Sequence, residues 1–143
     1  MCSSDLMLLY LYGDATGESR RTVSSRTDWQ IVREFCARYA DQLKLGSRVP
    51  SSNPPVRDRV NIVNARLKNY LGDRHLFVDP KCKLLIKDLE RVVWRADPHG
   101  NLLSELDKSD PMLTHASDAL GYLVYHEFPM QPRMGPKYGS VLW

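Results

Sequence analysis

The chain is predicted to be α/β, a mixed sheet flanked by helices, and three observations lead there. Leu6–Tyr12 is a continuous apolar run without alternation, as in a strand covered on both faces. Later segments carry apolar residues at three-and-four spacing, the mark of amphipathic helices. Turn-forming residues separate these segments at short intervals: Gly46, Asn53-Pro54-Pro55, Gly72 and Asp97-Pro98-His99-Gly100.

Each element follows in order. After the Leu6–Tyr12 strand, residues 17–26 are rich in Ser, Thr and Arg without periodicity and read as a mobile surface loop. Thr27 is a good N-cap, with Gln30 placed to complete a capping box. The helix it opens, 28–44, carries Trp29, Ile31, Val32, Phe35, Cys36, Tyr39 and Leu43 as its apolar stripe, and Gly46 closes it. Ser47–Pro50 is a candidate short strand. A second helix, 55–71, presents Val56, Val60, Val63, Leu67, Tyr70 and Leu71 on one face. Arg57, Arg59, Asn61, Arg66 and Lys68 lie on the other.

His75–Val78 is expected as a second strand of the Leu6–Tyr12 sheet. Asp79-Pro80 then gives an N-cap and first-turn proline for a helix reaching about Leu89 or Arg91, buried through Cys82, Leu85, Ile86 and Leu89. Val92–Ala96 and Asn101–Glu105 flank a four-residue turn and read as a β-hairpin. The last helix covers 111–128, capped by Asp110, and Pro129–Trp143 is expected to be a loosely ordered tail.

Composition sets bounds rather than a function. At 143 residues the chain is one domain, with 43% apolar and 26% charged residues. A net charge of +3 suits nucleic acid without demanding it. Cys2, Cys36 and Cys82 lack metal-site spacing and read as reduced thiols, with Cys36 and Cys82 in the core. No apolar run approaches the roughly eighteen residues that span a membrane. No signal-peptide cleavage site is visible at the N-terminus. A soluble intracellular protein is expected.

Two acids stand out. Asp14 sits in Tyr12-Gly13-Asp14-Ala15-Thr16-Gly17, where the first strand gives way to a glycine-flanked loop. Asp118 sits in Thr114-His115-Ala116-Ser117-Asp118-Ala119-Leu120-Gly121-Tyr122, among small residues that allow close packing. A strand-end carboxylate and a helix-borne one are a common way to hold Mg²⁺ or Mn²⁺, which prefer hard oxygen ligands. Asp14 alone could equally be a turn former, and Asp118 a solvated acid. His115 shares the helix face of Asp118 and suits either a backbone hydrogen bond or a role orienting water. Asp107 is a candidate auxiliary ligand, whereas Asp79, Asp88 and Glu90 read as a cap and a solvated face.

Four stretches carry a resemblance: YGDATG (Tyr12–Gly17), NPPVRDR (Asn53–Arg59), VDPKCKLLIKDL (Val78–Leu89) and DKSDPMLTHASDALGY (Asp107–Tyr122). With Arg26-Thr27-Asp28-Trp29, they cover most of residues 7–126. In these words and their order the chain resembles the C-terminal nuclease domain of the large terminase subunit of tailed bacteriophages. The resemblance implies a ribonuclease H-like fold and a two-metal endonuclease (Mg²⁺ or Mn²⁺) that cuts concatemeric double-stranded viral DNA. Asp14 and Asp118 match the second and third catalytic acids and metal ligands, and His115 matches a histidine beside the metals in some members.

Further expectations follow from the same resemblance. The implied partners are double-stranded DNA, the terminase ATPase domain, the small terminase subunit and the portal protein. The implied location is the cytoplasm of a phage-infected or lysogenic bacterium, with no membrane. Arg20, Arg21, Arg26, Arg57 and Arg59 could lie along DNA phosphates.

The family's first catalytic acid lies well upstream of its YGDATG motif, and only thirteen residues precede Asp14 here. The expected organisation is therefore an unrelated or disordered leader (1–6), a partial nuclease domain truncated at its N-terminus (7–128) and a flexible tail (129–143). Activity is expected to be weak or absent. Two alternatives stay open: another ribonuclease H-like nuclease of transposase or resolvase type, and an inactive remnant.

Overall fold

A computed structural model describes residues 6–19 and 25–129. It is mixed α/β. Strand β1 (Met7–Leu11) leads through a short 3-10 helix (Ala15–Glu18) and helix α1 (Asp28–Ala37) to strand β2 (Leu43–Ser47). Helices α2 (Val56–Leu67) and α3 (Lys83–Arg91) follow, then a hairpin of β3 (Trp94–Ala96) and β4 (Leu102–Leu106), and finally α4 (His115–Glu127).

β1 and β2 pair in parallel, Met7 opposite Leu43 and Leu11 opposite Ser47, with α1 as the crossover that parallel strands require. Thr27 caps α1 through the reciprocal capping box with Gln30. That helix is shorter than the periodicity predicts. It unwinds after Ala37 through turns in which Tyr39 donates to the Cys36 carbonyl and Leu43 to the Tyr39 carbonyl. Residues 43–47 are drawn into β2 instead, ahead of the predicted Ser47–Pro50 strand. Gly46 is thus no helix terminator. It lies opposite Tyr10, whose ring would stand 2.7 Å from any Cβ placed there.

The predicted His75–Val78 strand does not form. The His75 and Leu76 N–H groups both donate to the Arg66 carbonyl, which ties this segment to the end of α2. Asp79 accepts from the Lys81 N–H and makes a turn of its own, so α3 begins only at Lys83. Asp110 likewise accepts from the Met112 N–H in a turn rather than capping α4. Thr114, at φ 76°, sits in the left-handed region and breaks the chain direction just before that helix.

The core lies in the helical half. Ile62 and Val63 of α2 pack on Val124 of α4, with Leu67, Leu76, Leu89, Leu120 and Tyr125 around them. Helix α2 therefore covers α4 and β4 rather than the β1–β2 pair. Tyr70, Leu71 and Cys82, expected inside, are exposed, while Cys36 is buried. Asp88, expected on a solvated face, is buried at 3% exposure, because its carboxylate accepts the Ala116 and Ser117 N–H groups at the start of α4. It does for α4 what Asp110 does not. The hairpin forms as predicted, antiparallel, with a register shift between Trp94 and Ala96.

Among the described residues no helix is long and apolar enough to cross a membrane. Residues 1–5 of the expected 1–6 leader, 20–24 of the expected loop and 130–143 of the expected tail lie outside those residues.

Candidate functional site

Asp14 follows β1 directly, and its carboxylate is held by dipoles. Oδ1 accepts from the Thr16 N–H at 2.6 Å and from Asn53 Nδ2 at 2.7 Å, and the Tyr122 hydroxyl adds a smaller stabilising influence. Burial opposes its ionisation, yet Asn53, Thr16 and Tyr122 prevail and bring the carboxyl from its ordinary 3.8 down to about 2. The loop is clamped from behind by Trp29, whose Nε1 donates to the Asp14 carbonyl at 2.8 Å. Gly13 and Gly17 make room for that indole, since a Cβ at either would fall within 2.6 Å of it. The motif's glycines thus serve a close approach.

Asp118 reaches the same place from the first turn of α4 and is held by cations. Arg59 Nη1 donates to Oδ1 at 2.9 Å, and Lys108 Nζ stands 3.9 Å from Oδ2. Arg59 is buried at 6% exposure, lies 4.3 Å over the Tyr122 ring, and leaves its Nε without a partner. Gly121 brings α4 close to Arg59, whose Nη1 would be 3.4 Å from a Cβ at that position.

Tyr122 joins the two acids. Its hydroxyl is pushed up to about 12 by burial, against the pull of Arg59 and with the Asp14 and Asp118 charges adding to the rise. Asp14, Asp118 and His115 line one open cleft together with Gly13, Trp29, Lys108 and Tyr122. His115 is exposed, and its Nε2 is 2.8 Å from the Pro111 carbonyl oxygen, the backbone bond that stood as the plainer of its two readings.

The remaining candidates are scattered. Asp107 accepts from the Ser109 N–H and shares a neighbouring cleft with Asp118. Among the arginines, Arg57 is exposed on α2 and Arg26 pairs with Glu34 at 2.8 Å on the surface. Arg59 is inside the site, so the surface role expected for it gives way to an ion pair with Asp118. Arg20 and Arg21 lie outside the described residues.

Four contributors escaped the sequence reading as site residues: Asn53, Trp29, Tyr122 and Lys108. All four fall in the motif words themselves or beside them, and that position was the available signal. A second cluster lies at the far end of α4. There Glu127 pairs with Arg48 and accepts from the Tyr12 hydroxyl at 2.6 Å, and the Arg48 guanidinium lies 3.6 Å over the Tyr10 ring.

Two carboxylates in an open cleft suit one hard cation that retains most of its waters. A second ion would need more anionic ligand, and among the described residues no group of three or more His, Cys, Asp or Glu could hold a metal. No family model, curated protein or solved structure matches this chain.

Proposed function

We propose that this chain is part of the nuclease domain of a phage terminase large subunit, a ribonuclease H-like, metal-dependent endonuclease acting on double-stranded DNA. The observation that carries the reading is the shared cleft. Acids 104 positions apart in sequence, 118 − 14, line one cleft, one at the end of a parallel strand and one on the closing helix. Two of the four motif words that suggested the family, YGDATG and DKSDPMLTHASDALGY, supply nearly every residue lining it, and NPPVRDR supplies Asn53 and Arg59, which hold the two acids.

A bound Mg²⁺ or Mn²⁺ would supply an activated water and charge stabilisation for phosphodiester hydrolysis. Asp14 and Asp118 would hold it. Asn53 and Thr16 keep Asp14 ionised, Trp29 clamps its backbone, and Tyr122 lines the cleft beside both acids. His115, whose Nε2 bonds to the Pro111 carbonyl, would orient a water through its other ring nitrogen. The third acid of the family's site would come from a strand pairing along the free edge of β1, which among the described residues bonds only to β2. With the ATPase domain, small subunit and portal as partners, cutting would take place in the bacterial cytoplasm.

A second reading draws on the pairing of Asp118 with Arg59 and Lys108, which neutralises this acid without an ion. It is that of a remnant that folds or docks without cutting.

The test is Mn²⁺-dependent nicking of supercoiled plasmid, by this chain and by a version extended with a strand carrying a third acid. The chain itself is expected to cut very slowly or not at all. The extended version should cut, and Asp14→Ala or Asp118→Ala should abolish that. Equal cutting with Asp118→Ala would remove Asp118 from the site.

A further inference from the structure

We propose that Arg59 is an internal counter-ion of the cleft, which a divalent cation must displace from Asp118 before both acids can share it. The inference rests on the metal-binding reading of this cleft and adds its regulation.

Three observations carry it. First, the two acids are neutralised in opposite ways. Asp14 receives only neutral donors, whereas each oxygen of Asp118 faces a cation, Arg59 at 2.9 Å and Lys108 at 3.9 Å. Asp14 is therefore open to an incoming ion, and Asp118 is already matched. Second, the Arg59 side chain is only 7% exposed, so its attraction for Asp118 is weakly screened. Third, its Nε is buried without an acceptor. Such a donor costs free energy, so the guanidinium is held where it is by Asp118 and the Tyr122 ring rather than by a full set of acceptors.

Displacement is chemically simple. The Asp118 carboxylate exchanges one charge-assisted hydrogen bond for an oxygen–metal bond, and the guanidinium keeps its charge while its Nη1 turns away from Asp118, remaining against the Tyr122 ring. No proton moves. Arg59 is a positioning residue here: it holds Asp118 aimed at the cleft and lowers the affinity for the ion. Losing a charge-assisted hydrogen bond that competes with the ion should raise that affinity about tenfold.

The experiment is calorimetric titration of the full chain with MnCl₂. Arg59→Gln is expected to bind Mn²⁺ about tenfold more tightly than the unmodified chain, and adding Asp118→Asn should erase the gain. Structural damage would not produce tighter binding, so the sign is diagnostic. Because Arg59 is buried, Lys108→Met supplies a second arm on an exposed side chain. It should tighten binding about twofold, as expected for a weaker and better solvated competitor.

Mn²⁺ binding that needs Asp14 but is unchanged or weaker in both Arg59→Gln and Lys108→Met would overturn the counter-ion role and leave the metal reading standing. Binding that ignores Asp14→Asn, or no binding in any variant, would sink the metal reading and this inference with it.

Discussion

Asp14 and Asp118 enter one cleft from two halves of the molecule built on different principles. The half made of β1, β2 and α1 is thin. Met7 and Leu8 are more than half exposed, and Phe35 of α1 is 56% exposed, so local hydrogen bonds hold its shape: the capping box, the strand ladder and the Trp29 clamp. The half made of α2, α3, α4 and the hairpin has the core, with Ile62 at 2% and Val124 at 1% exposure. The difference extends to the acids. The carboxylate that follows the thin half's strand is fixed by neutral donors, one from its own loop and one from Asn53 ahead of α2, while the packed half can bury an arginine and pair it with Asp118. A loop can aim a charge, but only a core can shield its partner.

The largest effects should separate the two halves by stability. Ile62→Ala removes side-chain volume from a packed seam and is expected to cost about 3 kcal/mol in denaturant unfolding. Leu8→Ser, on the exposed strand, should cost less than about 1 kcal/mol and reduce self-association, because a bare apolar edge invites pairing. Equal costs at the two positions would erase the contrast.

Next comes the start of α4. Asp88→Ala removes the acceptor of two half-buried N–H groups and is expected to cost about 2 kcal/mol. Because α4 carries Asp118, weaker Mn²⁺ binding should accompany the loss. Asp88→Asn, which keeps one acceptor oxygen, should recover part of both.

The smallest effect is a pH dependence. The folded-state carboxyl of Asp14 lies near 2, below its ordinary 3.8. Its contribution is therefore fully present above about pH 4 and disappears as pH falls through 2. The carboxylate is partly exposed, which reduces the contribution to about 1 kcal/mol. Asp14→Asn should flatten the stability profile between pH 4 and 2 by that amount, measured by chemical denaturation. An unchanged profile would mean the Asn53 and Thr16 donors do not hold the charge.

The sequence was readable where a signal is local. The Thr27–Gln30 capping box and the 92–106 hairpin each depend on neighbouring residues, and each forms; the β1 run also forms a strand, but an exposed one rather than one covered on both faces. It misled where a distant partner decides. Gly46 reads as a helix end until Tyr10 is placed against it from another strand. His75–Val78 reads as a strand until the Arg66 carbonyl takes its N–H groups. Asp88 reads as a solvated acid until α4 brings two unpaired donors to it. The site divides in the same way. Asp14 and Asp118 stand out by their small-residue surroundings, but Arg59 looks like one more surface arginine on a charged helix face. Only packing against Tyr122 and Gly121 turns it inward.

The central claim is that Asp14 and Asp118 share one cation site. It is tested most directly by a crystal of the chain soaked in MnCl₂ and measured at a wavelength where manganese scatters anomalously. A single anomalous peak is predicted between the two carboxylates, at about 2.2 Å from an oxygen of each, with the Arg59 guanidinium withdrawn from Asp118. A peak elsewhere, or no peak with Arg59 still bonded to Asp118, would contradict it.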